Sequence, residues 1–396
     1  MTDNQQWQSP SAPDVPSPQA QGYAADPQGA RGWTPPPRPG LIPLRPLDFG
    51  TILGAPYRLL RRNPRPTFGM SLLLQGVILL ISLAVVGTAT FTSLSRVEFS
   101  ATAADADEIL AGSVAAILLS SLVPLALAVV ATAIMQGIVV LEVARQSLGE
   151  KLRFRQLLAL AKGRLLAVVG YSVALSVALV VGILLLVTVV AGGSLLGPAG
   201  VAIAVALAVL LGLGGVALAA FVGTKLAFVP SILLLERASL REAIGRSWRL
   251  TAGSFWRILG TLLLVALILN VASSIAATPL QIVSFILPAV LAPTGEETAI
   301  NAVAVIVTVV SLLLTVVVSA VVLVVQSATT ALLYIDQRMR REGLDLELTR
   351  YAEARQSGRD GARNPFAVAS PGQTPPGPTP PGASPGPTPP SVSPWT

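Results

Sequence analysis

Six long apolar runs, at roughly 67–94, 109–141, 165–191, 199–235, 258–280 and 299–335, constrain the fold of this chain more than anything else in it. Each is at least as long as the about 20 residues a helix needs to cross the hydrocarbon core of a bilayer. The last four are rich in Val, Leu, Ala and Gly, and valine taken alone favours strands. In lipid, however, every backbone N–H and C=O has to be bonded within the segment, so these runs read as helices. With 53% hydrophobic and 12% charged residues among 396, the chain carries more apolar surface than an interior of this size hides. The expectation is an all-α integral membrane protein with six transmembrane helices.

Basic residues near the ends of the runs set the orientation. Arg58, Arg61, Arg62 and Arg65 precede the first run, and Arg145, Lys151, Arg153, Arg155, Lys162 and Arg164 lie between the second and third. Arg237, Arg241, Arg246, Arg249 and Arg257 lie between the fourth and fifth, and Arg338, Arg340 and Arg341 follow the sixth. The opposite connections hold Arg96 against Glu98, Asp105, Asp107, Glu108, Glu296 and Glu297. This predicts a multi-pass protein with both termini in the cytoplasm. No basic start followed by a short apolar stretch precedes the first run, which is therefore expected to direct insertion itself. Only Lys151, Lys162 and Lys225 are lysine among the 27 basic residues, and with the Ala, Gly and Pro load this points to a GC-rich bacterial genome and a bacterial plasma membrane. The net charge of +7 is mostly the topology signal plus affinity for anionic headgroups, and it calls for no nucleic-acid partner.

Between the fourth and fifth runs, residues 236–260 read as a basic amphipathic helix. Leu240, Ala243, Ile244, Trp248 and Phe255 take one side, and Arg241, Glu242, Arg246 and Arg249 the other. Such a segment lies on a membrane surface rather than crossing it. Phe154, Leu157, Leu158, Ala161 and Leu165 repeat the spacing beside Arg153, Arg155, Lys162 and Arg164. Phe49, Ile52, Leu53, Pro56 and Leu60 do so again, beside Arg58, Arg61 and Arg62. The pattern predicts three repeated units, about 47–145, 152–237 and 239–341, each an interfacial amphipathic helix followed by a helical hairpin. Pro56 is expected to kink the first of the three.

Flanking this membrane domain, 43–350, are a Pro- and Gln-rich arm, 1–42, and a Pro-rich tail, 351–396, both expected to be disordered and cytoplasmic. Closely spaced prolines in the tail favour extended polyproline II segments, the form that proline-reading partners bind. On the opposite face, 95–108 reads as a short acidic loop and 192–198 as a tight turn. The stretch 278–298 reads as a loop carrying Pro279, Pro288 and Pro293, with 282–291 too short to cross and placed at the outer interface.

The chain has neither cysteine nor histidine. That excludes disulfides and thiolate metal sites and removes the commonest general base along with any Ser-His-Asp arrangement. No acidic grouping suggests a metal site, so no catalytic residue, metal or cofactor is expected, and the chain is read as a non-enzyme. Each hairpin ends with a carboxylate close to a cation: Glu142 with Arg145, Glu236 with Arg237, and Asp336 with Arg338. These read as structural pairs at the inner rim. The alternative has the three carboxylates reaching a neighbouring unit's interfacial helix.

Lys225 stands deep in an apolar run, about 16 Å from Glu236 along an unbroken helix, which places it near the bilayer centre. With Trp248, Arg153, Arg155, Arg241, Arg246 and Arg249 it forms the set expected to bind lipid or a partner. Gln136, Asn270 and Gln326 are expected to hydrogen-bond between helices.

The string 228–256, FVPSILLLERASLREAIGRSWRLTAGSFW, and the later 334–346, YIDQRMRREGLDL, resemble the six-helix membrane domain found fused to glycerophosphodiester phosphodiesterases. That domain also stands alone in actinobacteria and other Gram-positive bacteria. The opening PLRPLDFGTILGAPYRLLRRNP resembles the start of the stand-alone members. The likeness covers about 43–350, and Tyr-x-Asp-x-Arg-x-x-Arg-Glu-Gly, starting at Tyr334, is its most specific piece. It implies a membrane protein without phosphodiesterase activity, because that activity belongs to a separate barrel that uses histidines and acidic metal ligands. Two functions follow as expectations. One is a plasma-membrane protein that binds anionic lipid or a membrane partner through its inner-surface helices; the other is a transporter or channel subunit with a pathway near Lys225.

Overall fold

The computed structural model describes residues 43, 45–98, 103–150, 152–291, 297–356 and 365–366, all within the unit Pro37–Thr396. The expected arm at 1–42 and the tail beyond 366 lie outside the described residues. Among the described residues every regular element is helical. In order they are α1 (Phe49–Arg62), α2 (Met70–Glu98), α3 (Ala103–Ser147), α4 (Phe154–Ala161), α5 (Leu165–Ser194) and α6 (Gly197–Leu226). Then follow α7 (Val229–Ser231), α8 (Leu240–Thr251), α9 (Phe255–Leu291), α10 (Glu297–Glu342) and α11 (Leu344–Gln356). Wider π-helical turns at Arg65–Gly69 and Ile232–Glu236 lead into α2 and follow α7.

Six helical stretches are long and apolar enough to cross a membrane: Arg65–Ser93, Gly112–Ser147, Leu165–Gly193, Gly197–Glu236, Phe255–Leu287 and Asn301–Glu342. They coincide with the six apolar runs. The connections differ from expectation. α9 runs through Pro279 and Pro288 to Leu291, so 282–291 is helix continuous with the fifth apolar stretch, which extends to Leu287, and not a loop. A proline forfeits one backbone bond and crowds the preceding turn; among apolar surroundings no water competes for the freed carbonyl, and the helix persists. α1 likewise continues across Pro56, whose ring is buried. Most of the expected acidic loop 95–108 is also helix, since α2 reaches Glu98 and α3 begins at Ala103; the side chains of its acidic residues lie outside the described ones.

The core sits at one end of the long helices. With 45 residues in α3 and 46 in α10, these helices are about 70 Å long, roughly twice the ~30 Å of hydrocarbon they have to cross. Their excess lengths converge. Met135, Ile138, Val139 and Val143 of α3, Phe228 to Leu235 after α6, and Ala328, Leu332, Tyr334 and Ile335 of α10 are all buried there. The three short helices close over this cluster, α1 through Ile52, Ala55 and Leu59, α4 through Leu157 and Ala161, and α8 through Ala243 and Leu250. We call this end the cap. Toward the opposite end apolar side chains face outward, as at Leu118 and Leu119 of α3, Leu184 and Leu185 of α5, and Leu210 and Leu213 of α6. So continuous an exposed apolar surface suits lipid and not water.

Each pair of long helices is preceded by a short one: α1 before α2 and α3, α4 before α5 and α6, α8 before α9 and α10. α4 and α8 also end alike. Two residues past each stands a glycine with positive φ, Gly163 at 86° and Gly253 at 77°, and the next helix starts two residues later. Glycine takes this left-handed conformation without the steric penalty a Cβ brings. Beyond α10 the chain stays with the cap. α11 extends to Gln356, past the boundary expected at 350, because Leu344 and Leu348 are buried; Phe366 joins the core at 2% exposure.

α5 and α6 form a tight hairpin, as expected from 192–198. At its turn the backbones touch, so that a Cβ on Gly200 would overlap the Gly193 carbonyl oxygen and the Leu196 side chain. Replacing Gly200 with valine is therefore expected to destabilise the detergent-solubilised protein by about 1–3 kcal/mol in thermal unfolding. Gly214→Ala, where a Cβ meets nothing within 4 Å, should leave stability unchanged. Equal melting temperatures for the two variants would contradict the close approach.

Candidate functional site

At the cap end of α10, residues spaced four apart build two ladders. Tyr334, Arg338 and Glu342 share one face of the helix, and Asp336 and Arg340 share another. Asp336 is fully buried and takes three sets of donors. Leu47 N–H donates to Oδ1 at 2.9 Å, Arg257 Nη2 to Oδ2 at 2.9 Å, and Arg340 Nε to both oxygens at 2.9 and 3.0 Å. Arg340 Nη2 also donates to the Leu47 carbonyl at 2.8 Å, so one carboxylate and one guanidinium bind both main-chain groups of Leu47.

The second ladder reaches the π turn after α7 and the short helix α8. Tyr334 O–H donates to Glu236 Oε1 at 2.5 Å, and Arg338 Nε lies 3.8 Å from the same oxygen. Arg246 Nε lies 2.5 Å from Glu236 Oε2, an ionic contact and not an aligned hydrogen bond. Arg246 Nη2 donates to both oxygens of Glu342 at 2.8 Å, and Arg338 Nε donates to Glu342 Oε2 at 2.8 Å. Arg341 completes the clamp by donating to the Arg249 carbonyl at 3.1 Å, to Ser254 Oγ at 3.3 Å and to the Ala252 carbonyl. A buried carboxylate is tolerated only with such compensation.

The three expected rim pairs do not form. Arg145 pairs with Glu150 at 3.3 Å, while buried Glu142 accepts from Asn63 Nδ2 and Gln146 Nε2, each at 2.7 Å. Arg237 is exposed, with a left-handed φ of 55°, and makes no ion pair among the described residues. Asp336 takes Arg257 and Arg340, not Arg338. Residues one or two apart do not face each other on a helix, and Glu142 points inward whereas Arg145 is partly exposed. The carboxylates instead reach the short helices or their flanks: Glu142 the residue after α1, Glu236 α8 itself, and Asp336 the segment before α1. Asn63, Leu47 and Arg257 were not legible as partners, being remote in sequence. The four-residue spacing of Tyr334, Arg338 and Glu342 was the available signal.

α8 begins with a capping box. Ser239 Oγ accepts the Glu242 N–H at 3.4 Å, and Glu242 Oε2 accepts the Ser239 N–H at 3.0 Å. That second bond holds the Glu242 carboxyl below the usual carboxylate range. The cap's contribution is therefore present at neutral pH and is lost as pH falls through the depressed value.

At about 100° per residue α8 presents three sides. Ala243, Ser247, Leu250 and Thr251 are buried against the cap, Leu240, Ile244 and Trp248 are exposed and apolar, and Arg241 and Arg249 are exposed and basic. Among the described residues neither the Arg241 nor the Arg249 guanidinium has a partner. Arg153 and Arg155, at the start of α4, are also exposed without ion pairs among the described residues; the Arg153 main-chain N–H donates to Gln156 Oε1 at 2.9 Å, and its carbonyl accepts from the Gln156 and Leu157 N–H groups at 2.9 and 3.1 Å.

Lys225 sits where α6 meets α8. Ser247 O–H donates to the Lys225 carbonyl at 2.7 Å, and Lys225 Nζ lies 5.3 Å from the centroid of Trp248, 5.8 Å from Phe255 and 5.9 Å from Phe221. No carboxylate pairs with it among the described residues. Lys225 lies about 42 Å along α6 from Gly197 at ~1.5 Å per residue, and residues 228–235 between it and Glu236 are buried in the cap.

Gln136, Asn270 and Gln326 make no side-chain hydrogen bond among the described residues. Gln136 lines a cavity of about 370 Å³ with Tyr171 and Thr330, whereas Asn270 is exposed. Gln326 lines two cavities, of about 610 and 310 Å³. No group of three carboxylates gathers as around a metal ion among the described residues. Removing the Asp336 charge would leave Arg257 and Arg340 facing a neutral amide. Asp336→Asn is expected to lower stability by about 3–5 kcal/mol in thermal unfolding, against less than about 0.5 kcal/mol for surface Arg241→Ala.

No curated protein and no solved structure matches the chain. Residues 203–358, which hold most of α6, the Lys225 cluster, α8 and both ladders of α10, match the family model described as the membrane domain of glycerophosphoryl diester phosphodiesterase, and over that span the chain is similar to this family.

Proposed function

We propose that the cap lies at the inner face of a bacterial plasma membrane, with both termini in the cytoplasm, and that it binds anionic phospholipid without catalysing a reaction. The three-sided environment of α8 carries this reading. One side is held by protein, the next offers Leu240, Ile244 and Trp248 to acyl chains, and the third turns Arg241 and Arg249 toward headgroups. Each basic residue near an anionic surface contributes about 1 kcal/mol. Lys225, a cation with aromatic neighbours and no carboxylate, adds a point charge at the same level, and Arg153 and Arg155 extend the basic surface to α4. Arg246 is left out of this role because Glu236 and Glu342 already occupy it.

In this reading α1, α4 and α8 are the interfacial members of three repeated units, each preceding a hairpin. The shared glycine turn after α4 and α8 supports that view. The alternative of a pathway past Lys225 has less behind it, since Lys225 packs against Trp248 and Phe255.

The test is lipid retention by the full-length protein in nanodiscs of phosphatidylcholine with or without phosphatidylglycerol, read by native mass spectrometry. Wild type should retain phosphatidylglycerol selectively. Arg241→Glu with Arg249→Glu should lower that retention at least about tenfold, because two attractions of roughly 1 kcal/mol become repulsions. Unchanged retention would defeat the proposal.

A further inference from the structure

The polar side chains of the long helices are not scattered. Between α2, α3, α9 and α10 lies a groove of about 610 Å³, open at its side where Thr132, Gln281 and Gln326 are exposed, whose lining also includes Gln75, Ser311 and Ser319. None of these six side chains makes a hydrogen bond among the described residues. Ser273, Ser284 and Thr315 also line the groove but donate to carbonyls of their own helices, at 2.7, 2.8 and 2.8 Å. No charged residue lines it. On α9 the lining extends from Ser273 to Ser284, about 16 Å, and on α10 from Ser311 to Gln326, about 22 Å. The groove is therefore long and runs along the helices.

A carboxamide in apolar surroundings without a partner is unfavourable, and three of them, on three different helices, converge on one space. Each supplies two donors and an acceptor. That set matches hydroxyls, which donate and accept in turn. A charged ligand would find no counter-ion here, and its desolvation would go uncompensated. Leu314, Val318 and Val322 supply an apolar wall beside the polar one, and the elongated shape accommodates an alkyl chain.

We propose that this groove binds an uncharged hydroxyl-bearing ligand, either the headgroup of a neutral lipid with its chain along α10 or the free polyol. The site shares no residue with α8 or Lys225, so it stands or falls independently of the headgroup reading.

The experiment uses the full chain in phosphatidylcholine nanodiscs, with thermal unfolding followed during titration by 1-octanoylglycerol, free glycerol or methyl octanoate. 1-Octanoylglycerol should raise the melting temperature saturably, and methyl octanoate, which has the chain without hydroxyls, should not. A comparable rise with glycerol assigns the site to the free polyol; no rise with glycerol assigns it to the lipid. Gln281→Leu should weaken the response about tenfold, the loss of roughly one hydrogen-bonded group, and Gln326→Leu should do the same. No saturable shift with either hydroxyl compound, or an undiminished response in Gln281→Leu, overturns the proposal. Should the variants fail to fold, a diazirine-bearing monoacylglycerol is cross-linked to wild type. Labelling of α9 and α10 peptides between 273 and 326 supports the site, and labelling confined to other helices refutes it.

Discussion

Asp336 and Glu236 are buried carboxylates whose compensation has to come from elsewhere in the chain, and that requirement organises the cap. Asp336 collects a main-chain N–H from before α1, a guanidinium from the start of α9 and another from its own helix. Glu236 collects a phenol from α10 and a guanidinium from α8. Neither set is complete unless helices far apart in sequence have arrived. Within lipid, helices gain little from burying apolar surface against one another, since the surrounding chains are equally apolar. The specificity of the assembly is therefore concentrated at the cap, as polar locks around its buried core.

That arrangement divides the arginines into two groups. Arg246, Arg257, Arg338, Arg340 and Arg341 bind carboxylates and carbonyls: Arg246, Arg338 and Arg341 hold α8 against α10, while Arg257 and Arg340 tie α9 and the segment before α1 to Asp336. Arg153, Arg155, Arg241 and Arg249 face outward. The first group fixes the orientation in which the second is displayed. Because α8 is clamped along its Arg246 edge, its Trp248 edge is turned onto Lys225 and Phe221. The string from Tyr334 to Gly343, within the span that matches the family, thus holds α8 in place and contributes little to its exposed face.

The six spans were legible because the length of an apolar run answers directly to bilayer thickness, and α8 because its apolar spacing is a local signal. Where the reading failed, the deciding interaction was remote. Glu142 meets Asn63, 79 residues away, and no local pattern announces this. Pairing Asp336 with Arg338 trusted proximity in sequence over helical geometry. Pro279 and Pro288 were taken as loop formers, a rule learned in water that weakens in lipid. The contacts of Lys225 were not legible because the last residues of the apolar run containing it, 228–235, are packed into the cap. The groove around Gln326 left only isolated polar residues in four separate runs, and their convergence is a property of packing alone.

The bond from Leu47 to Asp336 joins residues 289 positions apart, and this separation is also an interval of time. At synthesis rates of about 5–20 residues per second, roughly a quarter of a minute to one minute elapses between the emergence of Leu47 and that of its partner. Within that interval α1 and the first two spans are synthesised, all of them before the residue that locks the segment ahead of α1 exists. Closure is a late event, set by the last span to be made.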